Sequence, residues 1–487
     1  MAIGYWQLAT EIHFGTDGWR GLIADDFTFA NVRRVAQAIA SYVVKYEDAA
    51  KGVAVGYDTR FASPRAAELV AETLAAAGIP VLLSNDYVPT PVVSFTVKNR
   101  SLAAGVVVTS SHNPWNWNGV KVKARYGGSA SPEIMKKIEE ELRAGAQPRG
   151  ATAAITTADF KPDYVQAITR LVDMERIARA GFRFVIDVMY GSGRGVLAGI
   201  FRQHRVEHVE IRNDVNPLFP EINPEPIEPH VRMAQETVVQ ERAHAGFISD
   251  GDADRIGAVD ENGAFVDPHR IFSILLYWLL ARRQWPGEVA RAFNSTHMAD
   301  RIAARFGRKM HVTPIGFKYL GALMMERNVL IAAEESGGIG LKRHLPERDS
   351  TLNALLLAGV MAEEGKTLGQ LVAELQQEFG AHYYGRRDLH IPDEVKWAAI
   401  RHAESDGTAA VGPYRVLRRE KVDGIKLFLD APRNGSGAEP WLLVRASGTE
   451  PLLRLYAEAA APDLVRNILD QAEEFVADKA TAATQRA

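Results

Sequence analysis

The chain has 487 residues, a net charge of −3 at pH 7, 47% hydrophobic and 24% charged residues, and no cysteine. This length exceeds what one hydrophobic core supports, so we expect three or four domains. The near-neutral charge excludes a general attraction to nucleic acid or membrane, and the lack of cysteine excludes disulfides and thiolate chemistry. The N-terminus lacks the features of a secretory signal, and the longest apolar run, Ile271–Ala281, is too short to span a bilayer. We therefore expect a soluble cytoplasmic protein.

Strand and helix patterns alternate along most of the chain, which is typical of βαβ units and a parallel sheet. In the first stretch, the strand Gly52–Gly56 precedes a helix over Ser63–Ala77, and Leu102–Val108 predicts a buried strand. Ser131-Pro132 predicts the start of a charged helix. The Ala-, Gly- and Thr-rich segment Gly145–Thr157 predicts the connection to a second unit.

The same alternation recurs twice before the pattern changes. The second unit predicts a helix over Tyr164–Arg179 and a strand at Phe182–Asp187, and the third begins near Phe265. From about Gly385 closely spaced strands, such as Trp441–Val444, predict an antiparallel sheet. We therefore predict four domains, with the boundaries 1–157, 158–264, 265–384 and 385–487.

The buried strand that ends at Val108 leads into the loop Thr109-Ser110-Ser111-His112-Asn113-Pro114. In an open α/β sheet, ligands collect at the carboxyl ends of strands. Ser111 lies at such an end, with His112 beside it and Lys121 and Lys123 downstream. A hydroxyl among cationic groups is suited to carrying a phosphoryl group, although an ordinary Ser-Ser turn explains these residues equally well when they are taken alone.

Three aspartates, Asp250, Asp252 and Asp254, occupy alternate positions of one loop. Their carboxylates repel one another unless a cation neutralises them, and oxygen ligands suit Mg²⁺ or Ca²⁺. A calcium-binding EF-hand loop needs glycine at its sixth position, where this chain has Arg255, and the following Ile256–Val259 predicts a strand. The pattern therefore favours a Mg²⁺ site over a solvated acidic turn. Because Mg²⁺ usually takes part of its shell from phosphate, a phosphoryl oxygen is expected nearby.

Two further loops follow apolar strands. Arg445-Ala446-Ser447-Gly448-Thr449-Glu450-Pro451 offers a guanidinium, two hydroxyls and exposed amides that can hold a phosphate. Glu334-Glu335-Ser336-Gly337-Gly338 offers carboxylates that accept hydrogen bonds from sugar hydroxyls. Adjacent carboxylates of an extended segment point to opposite sides, which argues against paired acid–base work. A simple turn remains the alternative for each loop taken alone. Gly191–Gly195 matches a dinucleotide fingerprint only weakly and predicts the turn that begins a helix.

These four loops, in this order over essentially the whole chain, resemble the α-D-phosphohexomutase family of phosphoglucomutases, phosphomannomutases and their relatives. Phe14–Gly21 resembles the N-terminal signature of that family. The resemblance implies an α/β fold of three topologically similar α/β domains plus a smaller C-terminal α+β domain with an antiparallel sheet, arranged around a central cleft.

The resemblance also implies roles for individual residues. Ser111 is then the phosphoserine, and Mg²⁺ is held by Asp250, Asp252, Asp254 and an oxygen of Ser111. The residues expected around the transferring phosphoryl group are Arg20, His112, Lys121 and Arg255. Those expected to bind the substrate are Glu335 and Ser336 for the sugar hydroxyls, and Arg445, Ser447, Gly448 and Thr449 for the non-reacting phosphate. Arg291 matches a basic active-site residue through a looser alignment.

The implied enzyme is an isomerase of carbohydrate metabolism that interconverts glucose 1-phosphate and glucose 6-phosphate. Phosphorylated Ser111 gives its phosphoryl group to the hexose phosphate, forming glucose 1,6-bisphosphate, and then takes the other one back. The residues leave open whether Lys121 or His112 removes the hydroxyl proton. We expect the chain to bind a hexose phosphate substrate, to bind neither nucleic acid nor membrane, and to be a monomer or a homodimer.

The sugar is predicted from the loop at Glu334. Its Glu-Glu-Ser sequence resembles phosphoglucomutases more than the Glu-Met-Ser-Gly-His form of dual phosphomannomutase/phosphoglucomutases. Gly338 and Phe317 stand where that dual group has histidine, so glucose is favoured and mannose is the alternative. From other classes, a non-catalytic sugar-phosphate-binding protein should have lost the nucleophile or an aspartate, and a metal-dependent phosphatase would release inorganic phosphate.

Overall fold

The computed structural model describes residues 12–15, 17–145, 147–405, 407–432, 435, 437–447 and 451–484. The chain divides into two compact units. The first consists of Met1–Ile271 and Gly316–Gly369, and the second of Phe272–Ile315 and Gln370–Ala487. Within the described ranges, no helix combines the length and the apolar character needed to cross a membrane.

The N-terminal part of the first unit is built on one mixed sheet. Among the described residues its strands are β1 (Phe14–Gly15), β2 (Gly18–Leu22), β3 (Val53–Tyr57), β4 (Val81–Ser84), β5 (Ala104–Val108), β6 (Trp117–Ala124), β7 (Gly128–Ser129) and β8 (Ile155–Ala158). Their order is β1-β2-β6-β5-β3-β4-β8, with β7 paired to β6. Strands β3, β4, β5 and β8 run parallel. Every residue of β5 is buried, as its apolar sequence predicts for a central strand.

Four helices accompany this sheet: α1 (Phe29–Tyr46), α2 (Ser63–Ala76), α3 (Thr90–Asn99) and α4 (Pro132–Arg143). The predicted start of α4 is confirmed, because the Ser131 side chain accepts a hydrogen bond from the backbone N–H of Ile134. In the register of β3 and β5, Tyr57 lies beside Val108. The loops that follow these two strands therefore begin side by side at one edge of the sheet.

The predicted connection at Gly145–Thr157 contains an edge strand that the sequence pattern does not reveal. Strand β8 pairs in parallel with β4 of the first sheet, from Ile155 to Ala158. Its first three residues are exposed, so the strand lacks the apolar alternation that marks a half-buried strand. The first sheet consequently extends one residue beyond the predicted boundary at residue 157.

A second, smaller sheet follows, with strands β9 (Arg183–Asp187), β10 (Glu207–Ile211), β11 (Ala245–Ser249), β12 (Ile256–Asp260) and β13 (Phe265–Val266) in the order β10-β9-β11-β12-β13. Its helices are α5 (Lys161–Thr169), α6 (Met174–Arg179), α7 (Val196–Gln203) and α8 (Arg232–Gln240). The single helix expected over Tyr164–Arg179 is thus two, because the Asp173 side chain caps a new helix. Phe265, which we expected to begin the third α/β domain, instead lies in β13 and pairs with β12.

The chain between residues 268 and 379 contributes to both units. Its elements are α9 (Pro268–Ala281), β14 (Glu288–Ala292), α10 (Met298–Arg305), β15 (Met310–Thr313), α11 (Phe317–Glu326), β16 (Val329–Ala333), β17 (Ile339–Leu341), α12 (Ser350–Glu364) and α13 (Leu368–Phe379). In the first unit, β16 and β17 form an antiparallel hairpin. Helix α12 is buried from Ser350 to Ala362, as expected of a helix that is apolar on all sides.

The C-terminal part of the second unit is an antiparallel sheet, as predicted. Its strands are β18 (Tyr383–His390), β19 (Ala410–Val411), β20 (Tyr414–Lys421), β21 (Ile425–Asp430), β22 (Trp441–Ala446) and β23 (Leu452–Ala459) in the order β18-β23-β22-β21-β20-β19. Helices α14 (Asp393–Glu404) and α15 (Pro462–Thr484) lie against it. The core between them is formed by apolar side chains such as Leu427, Leu442 and Leu455.

Candidate active site

The loop after β5 carries the predicted nucleophile in an uncommon backbone conformation. Ser111 has a φ of 52°, in the left-handed region that side chains other than glycine rarely adopt. Its backbone N–H donates to the Thr109 hydroxyl at 2.9 Å, and its residue exposure is 1%. Strain of this kind persists only where the surroundings fix the backbone.

A buried arginine fixes this loop. Arg60 donates from its guanidinium to the carbonyl oxygens of Ser111 and Asn113, each at 2.6 Å. It also donates to the carbonyls of Pro114 at 2.8 Å and Trp117 at 3.1 Å. Three carbonyls of the loop and that of Trp117, the first residue of β6, thus share a single cation.

The carboxylate of Asp58 completes this support. It lies 3.3 Å from Arg60 Nε and accepts a hydrogen bond from the Thr109 hydroxyl at 2.6 Å. Our sequence analysis did not assign Asp58 or Arg60 to the site. A signal was present, since two charged residues follow the buried strand β3, whose end lies beside the end of β5.

The turn between β11 and β12 brings the three aspartates together. Asp250, Asp252 and Asp254 have residue exposures of 0%, and each offers a carboxylate oxygen within 4.8 Å of the others. Asp250 Oδ1 accepts hydrogen bonds from the backbone N–H groups of Asp254 and Arg255. Its other oxygen, Oδ2, accepts the hydroxyl of Ser111 at 2.8 Å. The serine loop and the aspartate loop are therefore in direct contact.

Lys121, on β6, lies within the same group of carboxylates. Its Nζ is 2.8 Å from Asp252 Oδ2, 2.9 Å from Asp254 Oδ2 and 3.0 Å from Asp17 Oδ2. Burial lowers the pKa of Lys121, but these three carboxylates together raise it above its ordinary value. The side chain is consequently held as an ammonium ion.

The remaining oxygens of the cluster suit a divalent cation. Asp252 Oδ1 and Asp254 Oδ1 are buried and have no hydrogen-bond partner among the described residues. Burial raises the pKa of Asp250 well above its ordinary value, and the charges of Asp254 and Asp252 raise it further. Unpaired buried carboxylate oxygens that repel one another are the donor set that a hard cation neutralises.

The other predicted residues of this region lie around Ser111. His112 Nδ1 is buried without a partner among the described side chains and backbone. Burial holds the pKa of His112 well below its ordinary value, and the positive charges of Arg255, Arg20 and Lys121 lower it further. Arg20 donates to the Asn113 side chain at 2.6 Å, which places a further cation beside the serine loop.

The turn between β16 and β17 holds the predicted sugar-recognition residues, and it lies against the aspartate loop. The carbonyl of Gly337 accepts a hydrogen bond from the backbone N–H of Ile256 at 3.1 Å. Glu335 Oε2 is buried and has no partner among the described residues, while Ser336 is partly exposed. Burial raises the pKa of Glu334 to about 7. Glu335 therefore offers an acceptor, whereas Glu334 faces the interior.

Arg348, which the sequence analysis did not assign, joins these groups. Its Nη2 lies 2.6 Å from Asp17 Oδ2 and 2.8 Å from Asp254 Oδ2, and its Nη1 lies 3.4 Å from Glu334 Oε2. The signal in the sequence is weak: three consecutive charged residues, Glu347 to Asp349, directly before a buried helix.

The predicted phosphate loop belongs to the second unit. Arg445 Nε lies 3.0 Å from Asp423 Oδ1, and the carbonyl of Ser447 accepts a hydrogen bond from Lys396 at 3.0 Å. Gly448 and Thr449 lie outside the described residues. Also in the second unit, Arg291 is 3% exposed and its Nε is 2.7 Å from Asp300 Oδ2.

Comparison with known proteins identifies the family through all of its domains. Four models of the phosphoglucomutase/phosphomannomutase family match this chain: alpha/beta/alpha domain I at residues 11–149, domain II at 162–263, domain III at 267–379 and the C-terminal domain at 391–475. The chain belongs to the phosphoglucomutase/phosphomannomutase family. The predicted family and fold class, three α/β domains and a C-terminal antiparallel-sheet domain, are confirmed.

Individual phosphohexomutases similar to this chain carry different sugar names. The phosphoglucomutase/phosphomannomutase of Thermococcus kodakarensis is 28% identical over 94% of this chain and 96% of that protein. The phosphoglucosamine mutase of Carboxydothermus hydrogenoformans is 29% identical over 94% and 97%. A crystal structure from Thermus thermophilus, assigned to the phosphomannomutases, is 33% identical with a TM-score of 0.83, covering 96% of this chain and 99% of that one. The chain is a phosphohexomutase, and these relatives leave its hexose unspecified.

Proposed function

We propose that this phosphohexomutase interconverts glucose 1-phosphate and glucose 6-phosphate through phosphorylated Ser111 and a bound glucose 1,6-bisphosphate. The observation that carries the proposal is the 2.8 Å hydrogen bond from Ser111 to Asp250. This bond places the hydroxyl of a strained, arginine-supported residue against Asp250, one of three buried carboxylates that lie together. Phosphoryl transfer depends mainly on such positioning and on charge neutralisation.

Asp250, Asp252 and Asp254, with an oxygen of Ser111, are the residues that would hold Mg²⁺. Bound there, Mg²⁺ supplies a positive charge that stabilises negative charge on the transferring phosphoryl oxygens. The residues fit this ion because two buried carboxylate oxygens lack partners among the described residues and because oxygen ligands are the ones Mg²⁺ prefers. We propose that Arg20 and Arg255 contribute further positive charge around the phosphoryl group.

In the forward half-reaction, the free hydroxyl oxygen of the hexose phosphate forms a bond to phosphorus. The bond between phosphorus and Ser111 Oγ breaks, and the hydroxyl proton moves to a base. We assign this base to His112, since its Nδ1 lacks a partner in the described structure. Lys121 is the weaker candidate because three carboxylates hold it as an ammonium ion. In the second half-reaction, Ser111 Oγ forms a bond to the other phosphorus and the bond between that phosphorus and the sugar oxygen breaks. The base returns its proton to that sugar oxygen.

Substrate binding is assigned to two loops. Glu335 and Ser336 would bind sugar hydroxyls, and the unpaired Oε2 of Glu335 supports this role. Arg445, Ser447, Gly448 and Thr449 would bind the phosphate that does not react. Arg291 would have to exchange its partner Asp300 to contact substrate, so it is the least supported of these assignments.

The Glu-Glu-Ser sequence of the recognition loop supports glucose as the hexose. Gly338 also supports it, because a side chain at this position would overlap Arg348. The relatives named phosphoglucosamine mutase favour a second candidate, glucosamine phosphate. The two sugars differ in the substituent at carbon 2, so only a direct comparison separates them.

The test compares glucose, mannose and glucosamine 1-phosphates, each with Mg²⁺ and a trace of the matching 1,6-bisphosphate. We expect conversion to the 6-phosphate to be fastest with glucose and to disappear in Ser111→Ala. Ser110→Ala, which removes the neighbouring buried hydroxyl, is the matched control and should retain turnover. Steady release of inorganic phosphate would indicate a phosphatase, and binding without isomerisation would indicate a sugar-phosphate-binding protein. Faster turnover of mannose or glucosamine phosphate would replace glucose as the assigned sugar.

A further inference from the structure

A single guanidinium connects the recognition loop to the aspartate loop. Arg348 is 5% exposed. Its two terminal nitrogens contact three carboxylates from distant parts of the first unit: Asp17, Asp254 and Glu334. Asp254 belongs to the aspartate loop, and Glu334 begins the recognition loop.

The backbone on both sides of Arg348 is fixed. The preceding Glu347 accepts a hydrogen bond from Lys123 at 2.7 Å. The following Asp349 accepts hydrogen bonds from the Tyr164 hydroxyl at 2.7 Å and from the backbone N–H of Leu352 at 2.9 Å, which caps helix α12. The guanidinium therefore extends from a rigid attachment and can hold its partners in place.

The aliphatic part of the Arg348 side chain packs directly against the backbone of Gly338. A Cβ atom on Gly338 would lie 2.3 Å from Arg348 Cδ and 2.8 Å from its Cγ, both too short for any real contact. On another side, the ring centre of Phe317 is 5.6 Å from the guanidinium carbon. The side chain thus fits only because residue 338 has no side chain of its own.

We propose that Arg348 is a positioning residue that holds the recognition loop, Glu334–Gly338, against the aspartate loop, Asp250–Arg255. We further propose that residue 338 must be glycine because any side chain there would overlap Arg348. This inference rests on the proposed function of those two loops. A planar guanidinium fork can contact Asp254 and Glu334 at once, whereas the single ammonium group of lysine is a point charge. The bridge orients the sugar relative to Ser111 without touching the reacting atoms.

The first test measures kcat and KM for the preferred hexose 1-phosphate in Arg348→Lys and Arg348→Ala. We expect kcat to fall by about 100-fold in both variants, the effect of misplacing reacting groups by about 1 Å. KM should change much less, because Glu335 and Ser336 remain. Arg212→Met, which breaks the buried pair with Asp187, controls for loss of a buried arginine and should retain kcat. Near wild-type kcat in Arg348→Lys would overturn the bridge, since charge alone would then suffice.

The second test is independent of activity. Thermal unfolding is measured for Gly338→Ala, Arg348→Ala and the double variant. We expect Gly338→Ala to lower the melting temperature in the wild type. Beside Arg348→Ala it should lower it by less than half as much, because the two Arg348 atoms that overlap are gone and only Glu334 Oε2, at 2.8 Å, remains. Equal shifts in both backgrounds contradict the role of Gly338. If the wild-type protein isomerises no hexose phosphate, the proposed function is wrong. The unfolding comparison tests the contact between residues 338 and 348 independently of that result.

Discussion

Ser111 and Asp250, 139 positions apart in the chain, are joined by a 2.8 Å hydrogen bond from the serine hydroxyl to the carboxylate. Residue 251 makes this approach possible, because a Cβ on Gly251 would lie 2.5 Å from the Ser111 carbonyl oxygen. The fold itself thus brings the nucleophile and the acidic cluster into contact.

The first prediction concerns the divalent cation. Chelation should abolish turnover and added Mg²⁺ should restore it. Asp252→Asn and Asp254→Asn should each weaken Mg²⁺ binding at least about 10-fold, since changes around metal sites commonly have effects of that size. Titration calorimetry without sugar measures this directly. Asp163→Asn, at a side chain that is 56% exposed, is the control, and unchanged affinity in both cluster variants would rule out the assignment.

The second prediction concerns Arg60. Arg60→Met removes the cation that binds three carbonyls of the serine loop and that of Trp117, and it leaves Asp58 buried without its charge partner. We expect the free energy of unfolding to fall by roughly 3–5 kcal/mol, as for other broken buried pairs, and kcat to fall with it. Arg65→Met, at an exposed arginine just beyond, should cost less than about 1 kcal/mol. Urea unfolding of both variants measures the two losses of free energy. Similar losses would contradict the proposal that buried Arg60 supports the serine loop.

The third prediction concerns the glycine of the recognition loop. Gly337 has a φ of 94°, and a Cβ there would lie 2.3 Å from the Ile256 carbonyl oxygen. Gly337→Ala should therefore lower the free energy of unfolding by more than the roughly 1–2 kcal/mol of a left-handed alanine. It should also lower kcat by displacing the loop. Gly365→Ala, with a φ of 64° and no atom within 4 Å, should show only the conformational cost. Equal unfolding costs would mean that the close approach is unimportant.

The fourth prediction concerns a buried lysine in the second unit. Lys426 donates to the Phe293 carbonyl and lies 4.3 Å from the ring centre of Trp441. Burial, together with the positive charge of Arg291, lowers the pKa of Lys426 from 10.5 to about 7. Between these values the unfolded chain binds a proton that the folded chain does not. This group therefore makes stability rise with pH across that range, by up to about 1.4 kcal/mol per pH unit.

Lys426→Met should remove that part of the pH dependence. Urea midpoints at about pH 7 and pH 10, compared with the exposed-lysine control Lys421→Met, isolate the contribution of one group. The wild type and the control should gain stability with pH relative to Lys426→Met. Parallel pH profiles for all three proteins would show that Lys426 keeps its ordinary pKa.

The residues that could be predicted from the sequence are those whose signal is local. Ser111 follows a continuous apolar strand, and Asp250, Asp252 and Asp254 occupy alternate positions of one short turn. A few neighbouring residues are therefore enough to identify each of these sites. The sheet and helix pattern was equally accessible, because periodicity is a local property. The proposed roles of these side chains remain to be tested by the experiments above.

The residues that could not be predicted act across the chain. Arg348 contacts Asp17, 331 positions away, and Arg60 supports a loop whose Ser111 carbonyl lies 51 positions later. The charged residues after β3 and before α12 hint at these arginines but do not identify their partners, because strand order and packing determine the partners. The edge strand β8 was not predicted for a related reason. An exposed strand needs no apolar alternation, so its sequence carries no local signal.

The grip of Arg60 on the serine loop has a consequence for the catalytic cycle. The loop owes its shape to a side chain from the loop that follows the adjacent strand β3, so neither substrate nor covalent phosphate is needed to create that shape. Ser111 should consequently present the same backbone whether or not it is phosphorylated. The phosphoryl group would then leave Ser111 in one half-reaction and return in the next without moving the main chain of the serine loop. Only the sugar and the loops that bind it would move.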